Sequence, residues 1–103
     1  MIHELRTYTI LPRKKVKRIE QMKEMMPVFE RHGIRVVGLW TPLIGRVEQF
    51  IYLLAWESLA EREQKWPKIF EDPDFKRIFL DVEPTIQFQD NMILEPTPYS
   101  PLR

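Results

Sequence analysis

A chain of 103 residues with 44% apolar and 12% aromatic side chains is long enough for one domain with a modest core. Its formal charge of +1 argues against nucleic-acid binding through bulk charge, and the absence of Cys excludes a disulfide framework, a thiol nucleophile and a Cys-based zinc site. With His3 and His32 as the only histidines, no metal or other cofactor is expected.

The chain runs straight into "IHELRTYTI", which reads as a strand. Ile2, Glu4, Arg6, Tyr8 and Ile10 would line one side, and His3, Leu5, Thr7, Thr9 and Leu11 the other. Neither set is uniformly apolar or polar, so both sides need cover. No charged n-region followed by an apolar h-region is present, so no signal peptide is expected. The apolar stretch around residues 50–56 is too short to span a membrane, which makes a soluble, cytoplasmic-type protein the expectation.

Pro12 then turns the chain, and "VKRIEQMKEMMPVFERHG" follows with Val16, Ile19, Met22, Met26 and Phe29 at helical spacing. Pro27 removes a backbone donor and predicts a kink or break near Met26, and Gly33 is placed to close the helix in the left-handed conformation. "IRVVGLWTPLIG" is a strand loosened by Gly38 and Pro42, suited to a sheet edge. A short hairpin leads to "RVEQFIYLLAWE", the most β-like segment. Phe50, Tyr52, Leu54 and Trp56 fall on one of its faces and Ile51, Leu53 and Ala55 on the other, which predicts a central strand.

"SLAE" is a capping box with Ser58 as N-cap and Glu61 three residues on. Its helix carries Leu59, Trp66 and Phe70 on one stripe and is interrupted at Pro67. "DPDFKRIFLDV" restarts a helix, with Asp72 as N-cap, Pro73 in the first turn, and Phe75, Ile78, Phe79 and Val82 as the apolar stripe. "PTIQFQDNMILEP" is the last strand. In it Ile86, Phe88, Met92 and Leu94 alternate with Gln87, Gln89 and Asn91, and Asp90 breaks the apolar side. Residues 1–95 thus form the domain and 96–103 an extended, proline-rich tail.

The order β-α-β-β-α-β is the ferredoxin-like, α+β arrangement. Right-handed crossovers put strands 1 and 3 in the centre of a four-stranded antiparallel sheet and both helices on one face. The other face still carries large apolar side chains, more than a monomer usually exposes. A second copy packed sheet against sheet is the simplest cover, which predicts a homodimer with a barrel-like interior.

Four patches, "ELRTYTI", "GLWTPLIG", "WESLAER" and "NMILEPTPYSPL", together resemble the NIPSNAP family of the dimeric α+β barrel superfamily, and the bare domain is similar to its short bacterial members. The resemblance implies a homodimer of ferredoxin-like subunits and supplies no activity, because the biochemical role of such bacterial members is not established. In the wider superfamily, small-molecule pockets lie between sheet and helices. Some cyclase-like members use a His on the first strand, and cofactor-free oxygenases use Trp, Asn and His.

Several residues are candidates for a site. Arg6 is suited to an anionic ligand group, with Tyr8 next in line as hydroxyl donor; alternatively Glu4 and Arg6 form a buried ion pair, with each other or across subunits. His3 is the acid–base candidate, because its ordinary pKa lies near neutrality. Trp40, Tyr52 and Trp56, with Phe50 and Trp66, would line a hydrophobic pocket or simply form core. Asn91 completes an oxygenase-like list with His3, Trp40 and Trp56. Glu63 falls between the Leu59 and Trp66 directions, and the basic run "RKKVKR" is expected to be a solvated helix face.

The expectation is a homodimeric domain that binds a small hydrophobic or aromatic molecule, with no nucleic-acid or membrane partner. The alternative is a cofactor-independent enzyme, monooxygenase-like or isomerase/cyclase-like, with His3 moving the proton. A third possibility is a module whose tail "EPTPYSPL" docks on a partner.

Overall fold

The computed structural model describes residues 1–103. Strand β1 (Ile2–Ile10) leads to helix α1 (Lys15–Arg31), strands β2 (Arg35–Trp40) and β3 (Gln49–Trp56), helix α2 (Leu59–Ile69), a short helix α3 (Pro73–Phe75) and strand β4 (Ile86–Leu94). The strands form one antiparallel sheet in the order β2-β3-β1-β4, so β3 and β1 are central, as the connectivity predicts.

Local chemistry sets the element ends. Gly33 closes α1 at φ +68°, and its N–H and that of Ile34 donate to the Glu30 and Phe29 carbonyls, the paired bonds of a Schellman turn. Ser58 Oγ accepts from Glu61 N–H at 3.2 Å, while the Glu61 carboxylate reaches back to Glu57 N–H rather than to that of Ser58. Asp72 caps α3 by accepting from Asp74 N–H at 2.9 Å. Neither Pro27 nor Pro67 ends its helix: α1 runs unbroken for 17 residues and α2 for 11. After α3 the chain widens into a π-helical turn over Lys76–Leu80, closed by a bond from Asp81 N–H to the Lys76 carbonyl.

The helices cover the face that carries Tyr8, Ile10, Phe50, Tyr52, Leu54 and Trp56, and meet it with Met22, Met25, Val28, Phe29, Ile69 and Ile78. The stripe expected on α1 is therefore rotated. Val16, Ile19 and Met26 are exposed, whereas Arg18, Gln21 and Met25 are buried. The basic run at its start is likewise not all solvated, since Arg18 lies inside. On α2, Leu59 and Phe70 are more than half exposed and Ile69 is the buried residue.

On the open face, residues align in rows across all four strands: Gly38, Leu53, Leu5 and Met92 in one, Trp40, Ile51, Thr7 and Asp90 in the next. The Trp40 ring folds over Gly38, where a Cβ would lie 2.5 Å from it, so a side chain there would displace the ring. A register shift between Thr9 and Ile10 pairs Thr9 with Phe88 but Ile10 with Ile86. Ile86 therefore turns to the helix face, away from Phe88, Met92 and Leu94 with which simple alternation would group it. The tail, residues 96–103, forms no helix or strand, and one bond from Ser100 N–H to the Thr97 carbonyl makes a turn within it.

Candidate functional site

Between the helix face of the sheet and the helices lies a cavity of about 260 Å³. Its walls are Met22, Met25 and Phe29 from α1, Trp66 and Ile69 from α2, Phe75 of α3 and Phe79 of the π-helical turn. The rings form a continuous chain: Phe29 stacks on Trp66 at 6.3 Å, Trp66 meets Phe70 edge-on at 6.1 Å, Phe70 meets Phe75 at 5.1 Å, and Phe75 meets Phe79 at 5.2 Å. Such a wall offers apolar faces with little loss of side-chain freedom. The polar groups are gathered at the sheet, where Arg6, Tyr8 and Tyr52 line the cavity, and at α1, where Arg18 and Gln21 do.

Beneath this floor is a buried ionic cluster. Glu4 is fully buried and accepts from Arg6 Nη1 at 2.6 Å, from Arg62 Nε and Nη2 at 2.6 and 3.1 Å, and from Trp56 Nε1 at 3.0 Å. Burial alone would raise the Glu4 pKa, but the hydrogen bonds and charges of Arg62 and Arg6 outweigh it and hold the carboxyl below its ordinary value. Arg6 is bound through both Nε and Nη1. Its Nε donates to Tyr52 and Tyr8 at 2.9 and 3.2 Å, and its guanidinium lies 4.5 Å from the Trp66 ring centre. The Asn91 amide, turned to accept, places its oxygen 3.1 Å from Arg6 Nη1. Burial works against the Arg6 charge, yet the tyrosine oxygens and Glu4 that it bonds keep its pKa above the ordinary arginine value. Glu4 and Arg6 are thus an ion pair within the chain, completed by Arg62.

The two phenols lie 2.5 Å apart, oxygen to oxygen. Burial and the neighbouring Tyr8 push the Tyr52 pKa well above that of an ordinary phenol, so it stays protonated at neutral pH.

The remaining candidates separate cleanly. Tyr52 joins Arg6 and Tyr8 in the cavity. Trp56 does not; it is wholly buried below, holding Glu4. Trp40 ends the edge strand and borders only a shallower depression between α1 and β2. His3 sits on the opposite face of β1, between Ala55 and Leu94, with its Nε2 buried and unpartnered. The strand's two-residue repeat makes this unavoidable: if Arg6 and Tyr8 face the helices, His3 cannot. The assembly of His3 with Trp40, Trp56 and Asn91 around one cavity is therefore not met. Glu63 is exposed. Sequence reasoning did not single out Arg18, which lines the cavity, or Arg62, which holds Glu4 beneath it.

The fold and the cavity define a ferredoxin-like α+β domain with a small-molecule-sized pocket between sheet and helices. The NIPSNAP family model matches residues 3–101, and the chain belongs to that family. It is similar to a NIPSNAP family protein of unknown function from Agrobacterium tumefaciens, at 23% identity and a TM-score of 0.90 over 100% of this chain and 94% of that one. A second NIPSNAP family protein from that organism is 28% identical, with a TM-score of 0.87 over 99% and 98% of the two chains. A more distant likeness, in fold alone, is to a putative antibiotic biosynthesis monooxygenase from Bordetella bronchiseptica, at 13% identity and a TM-score of 0.70 over 93% and 96%. The comparison with curated proteins finds no match. No helix is long and apolar enough to cross a membrane.

Proposed function

We propose that this chain is a homodimeric small-molecule-binding domain whose cavity takes a hydrophobic or aromatic body bearing a polar group. The observation that carries the proposal is the make-up of one cavity, in which a chain of aromatic rings along α2, α3 and the π-helical turn faces hydrogen-bonding groups on the sheet and on α1. Such a division orients a ligand, apolar end toward Phe70 and Phe75 and polar end toward Tyr8 and Tyr52.

The dimer follows from the open sheet face. Leu5, Leu53 and Met92 share its central row, and Phe88 and Met92 are at least half exposed. An isologous contact needs a surface that complements itself, which an uncharged apolar row does. The occupant of this face is a second copy, leaving the cavity on the outer side of each sheet. The partner-free state would be recognised by a mass in sedimentation that stays monomeric at all concentrations.

The test of the cavity is an ¹⁵N–¹H titration with naphthalene derivatives. The Trp66 indole resonance shifts with saturation while that of Trp40, across the molecule, stays in place. A response confined to Trp40 would contradict the proposal. A second reading, a cofactor-independent enzyme, is favoured by one feature, the Tyr8–Tyr52 pair against Arg6, which is a proton donor facing the cavity. It predicts turnover lost in Tyr8→Phe with binding retained, and no dependence on His3.

A further inference from the structure

The cavity holds a second arginine whose situation differs from that of Arg6. Arg18 is 6% exposed and sits between two rings, 4.6 Å from the centre of Tyr8 and 4.5 Å from that of Phe79. It forms no salt bridge. Its one protein acceptor is Thr85 Oγ1, 3.3 Å from Nη1, and its Nε is buried with no partner at all. A buried guanidinium without a carboxylate is costly and is rarely retained without a use.

The surrounding groups supply no missing acceptor. Thr85 Oγ1 spends its hydrogen on Gln21 Oε1 at 2.9 Å, and Gln21 Nε2 donates to the Ile78 carbonyl at 2.9 Å, so the chain from Arg18 ends at the π-helical turn. Glu83, the one carboxylate in the lining, has a largely exposed side chain and pairs with Lys14 at 3.2 Å. The phenols add a further donor. Between Tyr8 and Tyr52 one O–H is shared, and the only other group bonded to them is Arg6 Nε, itself a donor. One phenolic hydrogen is therefore left for the cavity. Of the charged groups that line the cavity, Arg6 is offset by the buried Glu4 and Glu83 is paired with Lys14, which leaves Arg18 as the cation without a counter-charge.

We infer that the ligand is an anion, an apolar or aromatic carboxylic acid whose carboxylate is received by Arg18 and the free phenolic hydrogen of the Tyr8–Tyr52 pair. This rests on the cavity being a ligand site and names the class of ligand it takes. A carboxylate supplies the acceptors that Arg18 Nε lacks, and the low-dielectric rings on either side strengthen the pair. Arg6, whose Nε and Nη1 bond the tyrosines and Glu4 and whose charge Glu4 offsets, positions the phenols and does not itself need the ligand.

The experiment is calorimetry with matched acid and amide pairs on three bodies: 2-naphthoate and 2-naphthamide, phenylacetate and phenylacetamide, octanoate and octanamide. At least one acid binds the wild-type protein about tenfold or more tighter than its amide, and Arg18→Met brings that ratio to within about twofold. The wild-type ratio needs no variant, so a poorly folded Arg18→Met does not leave the question open. Amides that bind as well as acids would overturn the anion inference and leave the cavity as a ligand site. An acid preference that survives in a folded Arg18→Met would also overturn it, by placing the anion elsewhere. Failure of all six compounds to bind would remove the ligand site itself and the inference with it.

Discussion

Arg6 and Arg18 border the same cavity at 4% and 6% exposure, and both stack on aromatic rings, yet they are embedded in opposite ways. Arg6 belongs to a closed network in which Glu4, Tyr8, Tyr52 and, beyond them, Arg62 and Trp56 satisfy one another. Arg18 has one neutral acceptor and an idle Nε. The first arrangement is what a buried charge looks like when it holds a fold together. The second is what it looks like when the fold bears a cost for something bound. Equal burial therefore says little about role; the partner count decides.

The comparison breaks most sharply at Glu4. Glu4→Gln leaves Arg6 and Arg62 without their counter-charge and is expected to cost about 3–5 kcal/mol in urea unfolding. Arg6→Met is milder, about 2–3 kcal/mol, because Arg62 and Trp56 still bond the carboxylate. On the other face of the sheet, Leu53→Glu places a charge in the central apolar row. It is expected to weaken the proposed dimer about 30-fold or more, read by sedimentation equilibrium, with the monomer fold retained.

Acid separates the ionic cluster from the surface further. The folded-state pKa of Glu4 lies below its ordinary 4.5, so the stability it contributes is present above pH 4.5 and is lost as pH falls through the lower folded value. Asp72 behaves likewise. It accepts from His32 at 2.8 Å, caps α3 and pairs with Arg31, which brings it from 3.8 to about 2, and its contribution fades between those values. A pH series of urea midpoints should fall in this range, and Glu4→Gln should flatten it more than Asp72→Asn does.

The strand order, the caps at Ser58 and Asp72 and the turn at Gly33 were legible because each depends on neighbours in sequence or on a short list of allowed connections. The alternation of β3 separated Phe50, Tyr52, Leu54 and Trp56 from Ile51, Leu53 and Ala55 correctly. It could not say which set the helices cover, since both are apolar. The stripe on α1 was obscured for a physical reason. Arg18 and Gln21 line a cavity, so the buried face of the helix is partly polar, and an apolar count then drifts toward Val16 and Ile19. Their spacing with Met22, Met25 and Phe29 was the available signal. Ile86 was misgrouped because the skipped Gln87 in the β1–β4 register is invisible to a simple two-residue period. His3 is a candidate on its chemistry alone, and the parity of β1 separates it from Arg6 and Tyr8.

The smallest expected effect is also the most telling. Arg18→Met keeps the volume between Tyr8 and Phe79 while removing the unpaired charge. Its urea-unfolding free energy, measured beside Arg6→Met in ligand-free protein, should stay within about 1 kcal/mol of wild type or rise, since an apolar replacement ends a desolvation cost that no carboxylate offsets. A loss as large as that of Arg6→Met would mean that Arg18 is part of the scaffold, and would contradict the assignment of this arginine to a bound anion.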